Sequence, residues 1–157
     1  MLHFAYGSNM DRAVMCKHAP GAIPLGVARL EGYRFIVTAD GYASVVPQAR
    51  GCVHGLLWRL TARDLVTLDR WENIAAGLYR AELLPVITAG KRRRALVYVA
   101  RLCRRGVPRP GYMETIVQAA RECKLPAHYV ASLQRWLPRQ PRGAGHRRLH
   151  RTLGEFA

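Results

Sequence analysis

The chain has 157 residues, 25 of them lysine or arginine against 10 acids, for a formal charge of +15, and half of its residues are hydrophobic. That length predicts one compact domain with a core and room for a small-molecule pocket. No apolar run approaches the length of a membrane span, and the start, Met1-Leu2-His3-Phe4, lacks the regions of a signal peptide, so a cytoplasmic protein with no membrane partner is expected.

Leu2 to Tyr6 is short and apolar, as a strand buried in a sheet would be, and Asp11 to His18 reads as a short helix stopped by Pro20-Gly21. Strand-like runs follow at Leu25–Leu30, Tyr33–Thr38 and Ala43–Val46, separated by the turn signals Glu31-Gly32, Asp40-Gly41 and Pro47. Cys52 to Leu60 is the strongest strand, and Thr61-Ala62-Arg63-Asp64 opens a helix over Ala62–Trp71 with a capping-box pattern. A loop from Asn73 leads to a strand over Leu78–Thr88, which turns at Ala89-Gly90-Lys91 and returns as Ala95–Ala100. Two helices close the domain, one over Gly111–Cys123 and one with Pro126 at its first position. Short strands followed by helices predict an α+β fold, a small mixed β-barrel with short helices packed outside. The expected domain spans 1–137, and 138–157, rich in Pro, Gly and Arg, is expected to be a mobile tail.

The charge alone points toward nucleic acid or another polyanion, but its distribution weakens that reading. Five arginines fall in the last twenty residues, and Lys91–Arg94 and Arg101–Arg109 fall at a predicted hairpin tip and loop, where charge is solvated. With no aromatic-basic repeat or ribonucleoprotein motif, no specific nucleic-acid partner is expected. Cys16, Cys52, Cys103 and Cys123 are widely spaced, without a Cys-x-x-Cys or a zinc-finger pattern, and read as reduced thiols rather than metal ligands.

Tyr6-Gly7-Ser8-Asn9-Met10 sits where the first strand turns into the first helix. Such a turn leaves backbone N–H groups unpaired and open to an anionic or carbonyl oxygen, and Gly7 lets a ligand approach closely. On the pattern alone, an ordinary turn capped by Ser8 or Asn9 accounts for these residues. Ser8 as a nucleophile would need a base, and the six histidines show no triad pattern. His54 reads as a hydrogen-bonded core residue, Asp69 as an exposed helix acid and Glu82 as a strand-edge charge.

Three segments in this order give the chain a family likeness: Tyr6 to Met10, then Leu68-Asp69-x-x-Glu72-x-x-x-x-Gly77-x-Tyr79, then Tyr112 with Leu125-Pro126-x-x-Tyr129. From about Leu2 to Trp136 the chain resembles the gamma-glutamylcyclotransferase family, in its AIG2-like and BtrG-like branches. The resemblance implies a mixed barrel that converts a gamma-glutamyl amide into 5-oxoproline and a free amine without metal or cofactor. It makes Glu72 the catalytic acid–base, and the backbone of Tyr6, Gly7, Ser8 and Asn9 the holder of the glutamyl unit. Tyr79 would orient the carboxylate or the substrate amine, and Tyr112 would stand at the pocket rim. A carboxylate that first takes and then returns a proton needs partial burial to raise its pKa, and the neighbours Trp71, Ile74, Ala75 and Ala76 are apolar. Two departures from the family pattern, Trp71 before Glu72 and Asn73 after it, bear on substrate preference; the indole either narrows the leaving-group side or covers the site. Two other readings stand beside this one: the same scaffold acting on a different gamma-glutamyl amide (a polyamine, a biosynthetic intermediate or a glutathione-like peptide), and a non-catalytic polyanion-binding module. A homodimer is compatible with the sequence, but no heptad or repeated stripe identifies its interface.

Overall fold

β1 (Leu2–Ala5) is apolar and almost wholly buried because it is covered on both sides by other elements. It pairs antiparallel with β3 (Ala43–Arg59) and touches β5 (Lys91–Ala100) through one parallel pair, His3 with Leu96. β2 (Ile23–Val37) and β4 (Tyr79–Thr88) complete a closed barrel in the order β1-β3-β2-β4-β5 in the computed structural model, which describes residues 1–138. Outside the barrel lie α1 (Arg12–His18), α2 (Ala62–Trp71), α3 (Tyr112–Glu122) and α4 (Ala127–Gln134). The fold is therefore the mixed α+β barrel that the sequence suggests. Of the expected tail, residues 139–157 lie outside the described residues. Among the described residues no helix is long and apolar enough to cross a membrane.

Where the sequence suggests four short strands, the structure has two long ones. Glu31-Gly32 is a register shift inside β2 rather than a turn, because the pairing with β3 resumes at Tyr33 with Pro47. Pro47 is likewise held within β3, where it is exposed. Such irregularities bend a strand without ending it, and a long bent hairpin can then close a barrel of only five strands. Gly55 on β3 makes that closure tight: a Cβ there would stand 2.1 Å from the Ala5 carbonyl oxygen, so only glycine lets β1 lie this close just before its turn.

The basic run Lys91–Arg94 is also displaced from its predicted place. It lies in β5, opposite Pro85–Thr88, and Ala89-Gly90 makes the tip. The four side chains are exposed because this end of the hairpin runs past the core, while Ala95–Ala100 are buried. Pro126 occupies the N-cap of α4, one position earlier than expected. The core is formed by Phe4, Leu30, Leu57 and Trp58 of the barrel strands and Met10, Met15, Leu68, Met113, Ile116 and Leu133 from the turn and helices. The cysteines are free thiols, Cys16 and Cys103 exposed and Cys52 and Cys123 half-buried. His54 is half-buried against His128 and Tyr129, with its Nε2 3.6 Å from the Cys52 sulfur, at the edge of the core rather than in it.

Candidate active site

At one end of the barrel, the exit of β1, the start of β3 and β4, the C-terminus of α2 and the start of α3 surround a cavity of about 640 Å³. The structure brings every residue singled out above, Tyr6, Gly7, Ser8, Asn9, Glu72, Tyr79 and Tyr112, to its walls.

The turn after β1 is a short 3-10 helix, Ser8–Met10, closed by Met10 N–H to the Gly7 carbonyl (3.0 Å) and Asp11 N–H to the Ser8 carbonyl (2.9 Å). As at the start of any helical turn, the first N–H groups have no carbonyl partner within it. Neither Ser8 nor Asn9 caps the helix that follows. Asp11 does, accepting from Val14 N–H at 2.9 Å, which leaves the Asn9 side chain free to reach elsewhere. Its Nδ2 donates to Glu72 Oε1 at 2.7 Å, across 63 residues of sequence. Its Oδ1 is buried with no partner among the described residues and remains available to a ligand N–H.

Glu72 is the C-cap of α2, its N–H bonded to the Leu68 carbonyl at 2.8 Å, so the last turn of the helix aims the carboxyl inward. Burial pushes this carboxyl up to about 7, the Asn9 hydrogen bond pulls against that shift, and the nearby Asp69 adds to it. The enclosure differs in origin from the sequence expectation. Trp71, Ala75 and Ala76 are exposed, and it is the barrel mouth that shields Glu72. The Trp71 indole stacks on His18 of α1 with ring centroids 3.7 Å apart and is among the residues lining the cavity.

Tyr79 and Tyr112 grip one peptide residue. Tyr79 Oη donates to the Ala43 carbonyl at 2.7 Å, and Tyr112 Oη accepts from the Ala43 N–H at 3.2 Å. The Tyr79 proton is thus engaged, and what its hydroxyl offers a ligand is an acceptor; the Tyr112 hydroxyl keeps its proton to donate. Burial raises the pKa of both, Tyr112 up to about 12, so both stay protonated at neutral pH. Tyr6 donates to the Tyr98 carbonyl, tying β1 to β5 where their pairing lapses.

Several wall residues carry no sequence signal strong enough to single them out. His3 donates from Nδ1 to the Leu96 carbonyl at 3.1 Å, and burial holds its pKa down to about 4, so it is neutral, with an unpartnered Nε2. Tyr98 donates to Asp69 at 2.7 Å, so Asp69 is a half-buried hydrogen-bond acceptor rather than the exposed acid expected. Tyr42, Arg70 and Arg109 line the outer part. A polar aromatic within the apolar run Ala95–Ala100 was the available hint for Tyr98; Arg109 was hidden among the loop arginines.

A closed five-stranded barrel with a half-buried glutamate facing the turn after β1 defines a class of protein, and known proteins of that class are similar to this chain. A model of the AIG2-like family matches residues 52–133, beginning after the Gly7 turn and including Glu72. The chain is 27% identical to mouse gamma-glutamylcyclotransferase over 153 aligned residues, covering 90% of this chain and 81% of that protein, and 28% identical to the human protein of the same name, covering 85% and 77%. A solved structure of a gamma-glutamyl cyclotransferase superposes with a TM-score of 0.83 at 26% identity, covering 91% of each chain. The chain belongs to the gamma-glutamylcyclotransferase/AIG2-like family.

Proposed function

We propose that the protein is a gamma-glutamyl cyclotransferase, closing a gamma-glutamyl amide to 5-oxoproline and releasing the amine. The observation that carries this reading is the Glu72 carboxyl, half-buried at the cavity wall with its pKa pushed up to about 7 and hydrogen-bonded to Asn9 of the turn opposite. A group poised near neutrality both accepts and returns a proton readily.

The substrate reacts through its free α-amine. Glu72 takes a proton from that nitrogen as it attacks the γ-carbonyl carbon, and the new C–N bond closes a five-membered ring. The same carboxyl passes the proton to the departing nitrogen as the old C–N bond breaks, so protons and electron pairs balance without a further reactant. Backbone N–H groups of the turn at Ser8 and Asn9 would hold the oxygen that gains charge, the term on which such reactions depend most. Because both reacting groups belong to one substrate, holding it bent supplies much of the remaining acceleration. Asn9 Oδ1 and the hydroxyl of Tyr79 are the acceptors, and Tyr112 the donor, that would hold this bend.

The test is 5-oxoproline release from a panel of gamma-glutamyl amides, followed by mass spectrometry, for the native protein and Glu72→Gln. Release by the native protein that the variant loses supports the reading; near-normal turnover by the variant removes Glu72 from its role.

A further inference from the structure

Tyr98 holds both halves of the site at once. Its carbonyl accepts from the hydroxyl of Tyr6, the residue before Gly7, and its own hydroxyl donates at 2.7 Å to Asp69 Oδ1 on α2, the helix that ends at Glu72. The residue is only 3% exposed on β5, with its ring centroid 5.3 Å from that of His3 on β1, so it has little freedom of its own. Burial and the hydrogen bond to Asp69 raise its pKa, and it stays a donor at neutral pH.

Asp69 lies one turn before Glu72, and side chains three apart in a helix share a face. It is half-buried but does not line the cavity, so a ligand meets Glu72 and not Asp69. Among the described residues neither ion pair involves it, and its side-chain donor is Tyr98. The stability of α2 gives no reason for a carboxylate there. Like charges one turn apart repel, and both stand at the helix end that disfavours negative charge. The reason lies at Glu72, whose pKa is raised first by burial and then by Asp69, against the pull of Asn9.

The other elements around Glu72 present no group that does the same. Phenols of Tyr6, Tyr79 and Tyr112 come from the end of β1, from β4 and from α3, and burial keeps each protonated and uncharged at neutral pH. His3 is neutral, β3 brings Ala43, and α1 brings Val14 and, on Trp71, His18, whose pKa burial lowers. Arg70, Arg109 and Asp40 are exposed, where water and salt screen them.

We propose that Tyr98 and Asp69 are positioning residues for the base: Tyr98 fixes the Asp69 carboxylate beside Glu72, and that fixed charge keeps a proton on Glu72 for transfer to the departing amine. The inference rests on the reading of Glu72 as acid–base above and adds to it the residues that set its proton affinity. Tyr98 acts on Glu72 only through Asp69, so the effects of the two residues overlap.

The test is a ¹³C NMR titration of the Glu72 carboxyl in the native protein, Asp69→Asn, Tyr98→Phe and the double variant, together with the kcat/KM profile against pH for a gamma-glutamyl amide that is turned over. Asp69→Asn keeps the shape and an acceptor for Tyr98 but not the charge, and the Glu72 midpoint should fall by about one pH unit, a tenfold change in its ionisation equilibrium. Tyr98→Phe keeps the carbonyl that holds Tyr6 but frees the Asp69 side chain to turn to solvent, and should lower the midpoint by part of that amount. The double variant should titrate with Asp69→Asn, because no charge is left for Tyr98 to fix. The acidic limb of kcat/KM should move down by the same shifts, whereas a merely structural role would lower kcat/KM at every pH and leave limb and midpoint in place. An unchanged or raised midpoint in Asp69→Asn, an unchanged one in Tyr98→Phe, or additive shifts in the double variant would overturn the proposal. The titration needs no substrate, so the two readings fail separately. Shifted midpoints without product from any gamma-glutamyl amide would sink the cyclotransferase reading alone, and product formation with midpoints indifferent to both variants would sink this one.

Discussion

The two ends of α2 each hold a carboxyl, and the structure treats them in opposite ways. Asp64, at the N-terminus, is only 2% exposed, yet its pKa is lowered: burial opposes ionisation, but hydrogen bonds from the Thr61 hydroxyl and the Thr61 and Gly21 N–H groups outweigh it. Glu72, at the C-terminus, has one side-chain donor, Asn9, and its pKa rises to about 7. The helix dipole works in the same sense at each end, favouring negative charge at the start and opposing it at the finish. Burial raises both, and it prevails at Glu72 but is outweighed at Asp64. The number of donors turned toward a carboxylate separates a cap from a base.

Removing each carboxyl should break this contrast in a different way. Glu72→Gln keeps an acceptor for Asn9 but cannot shuttle a proton, and product release should fall by roughly a thousandfold with the circular dichroism spectrum unchanged. Asp64→Ala removes the capping box and the partner of Gly21 N–H, and should cost about 1 to 3 kcal/mol in denaturant unfolding while leaving turnover per folded molecule intact. Because the folded pKa of Asp64 is depressed, its contribution is present above the unfolded value and is lost as the pH falls through the folded one.

For Glu72 the sign reverses. Its folded pKa lies above the unfolded value, so ionisation costs stability progressively from about pH 4.5 to about pH 7 and levels off above that. Glu72→Gln should therefore be more stable than the native protein at pH 8, by on the order of 2 kcal/mol, and equal to it near pH 4; thermal melts at the two pH values check this. The smallest effect is expected from Asn9→Ala. Loss of the one donor moves the carboxyl pKa further up, so the acidic limb of the kcat/KM profile should shift to higher pH, together with a loss of activity of about tenfold. A limb that stays in place would show that Asn9 does not tune the base.

Much of α2 was legible in the sequence because its information is local. Thr61 and Asp64 stand three residues apart in a capping box, and the apolar spacing of Leu65, Leu68 and Trp71 gives the helix its length. The Gly7 turn, Glu72, Tyr79 and Tyr112 were tied to a shared pocket by the family resemblance they carry. What could not be read was partnership across the chain. Asn9 reaches Glu72 only because Asp11 takes over the cap, and Tyr79 and Tyr112 meet at Ala43 through barrel closure. Glu31-Gly32 and Pro47 looked like strand ends because a turn and a bulge use the same residues, and only pairing with the facing strand distinguishes them.

The most direct measurement is a titration of the Glu72 carboxyl carbon by ¹³C NMR, assigned by its absence in Glu72→Gln. A midpoint near pH 7 is the result this account predicts. A midpoint near 4.5, the value of an ordinary solvated glutamate, would contradict it, because the carboxyl would then hold too few protons at neutral pH to serve as the acid that releases the amine.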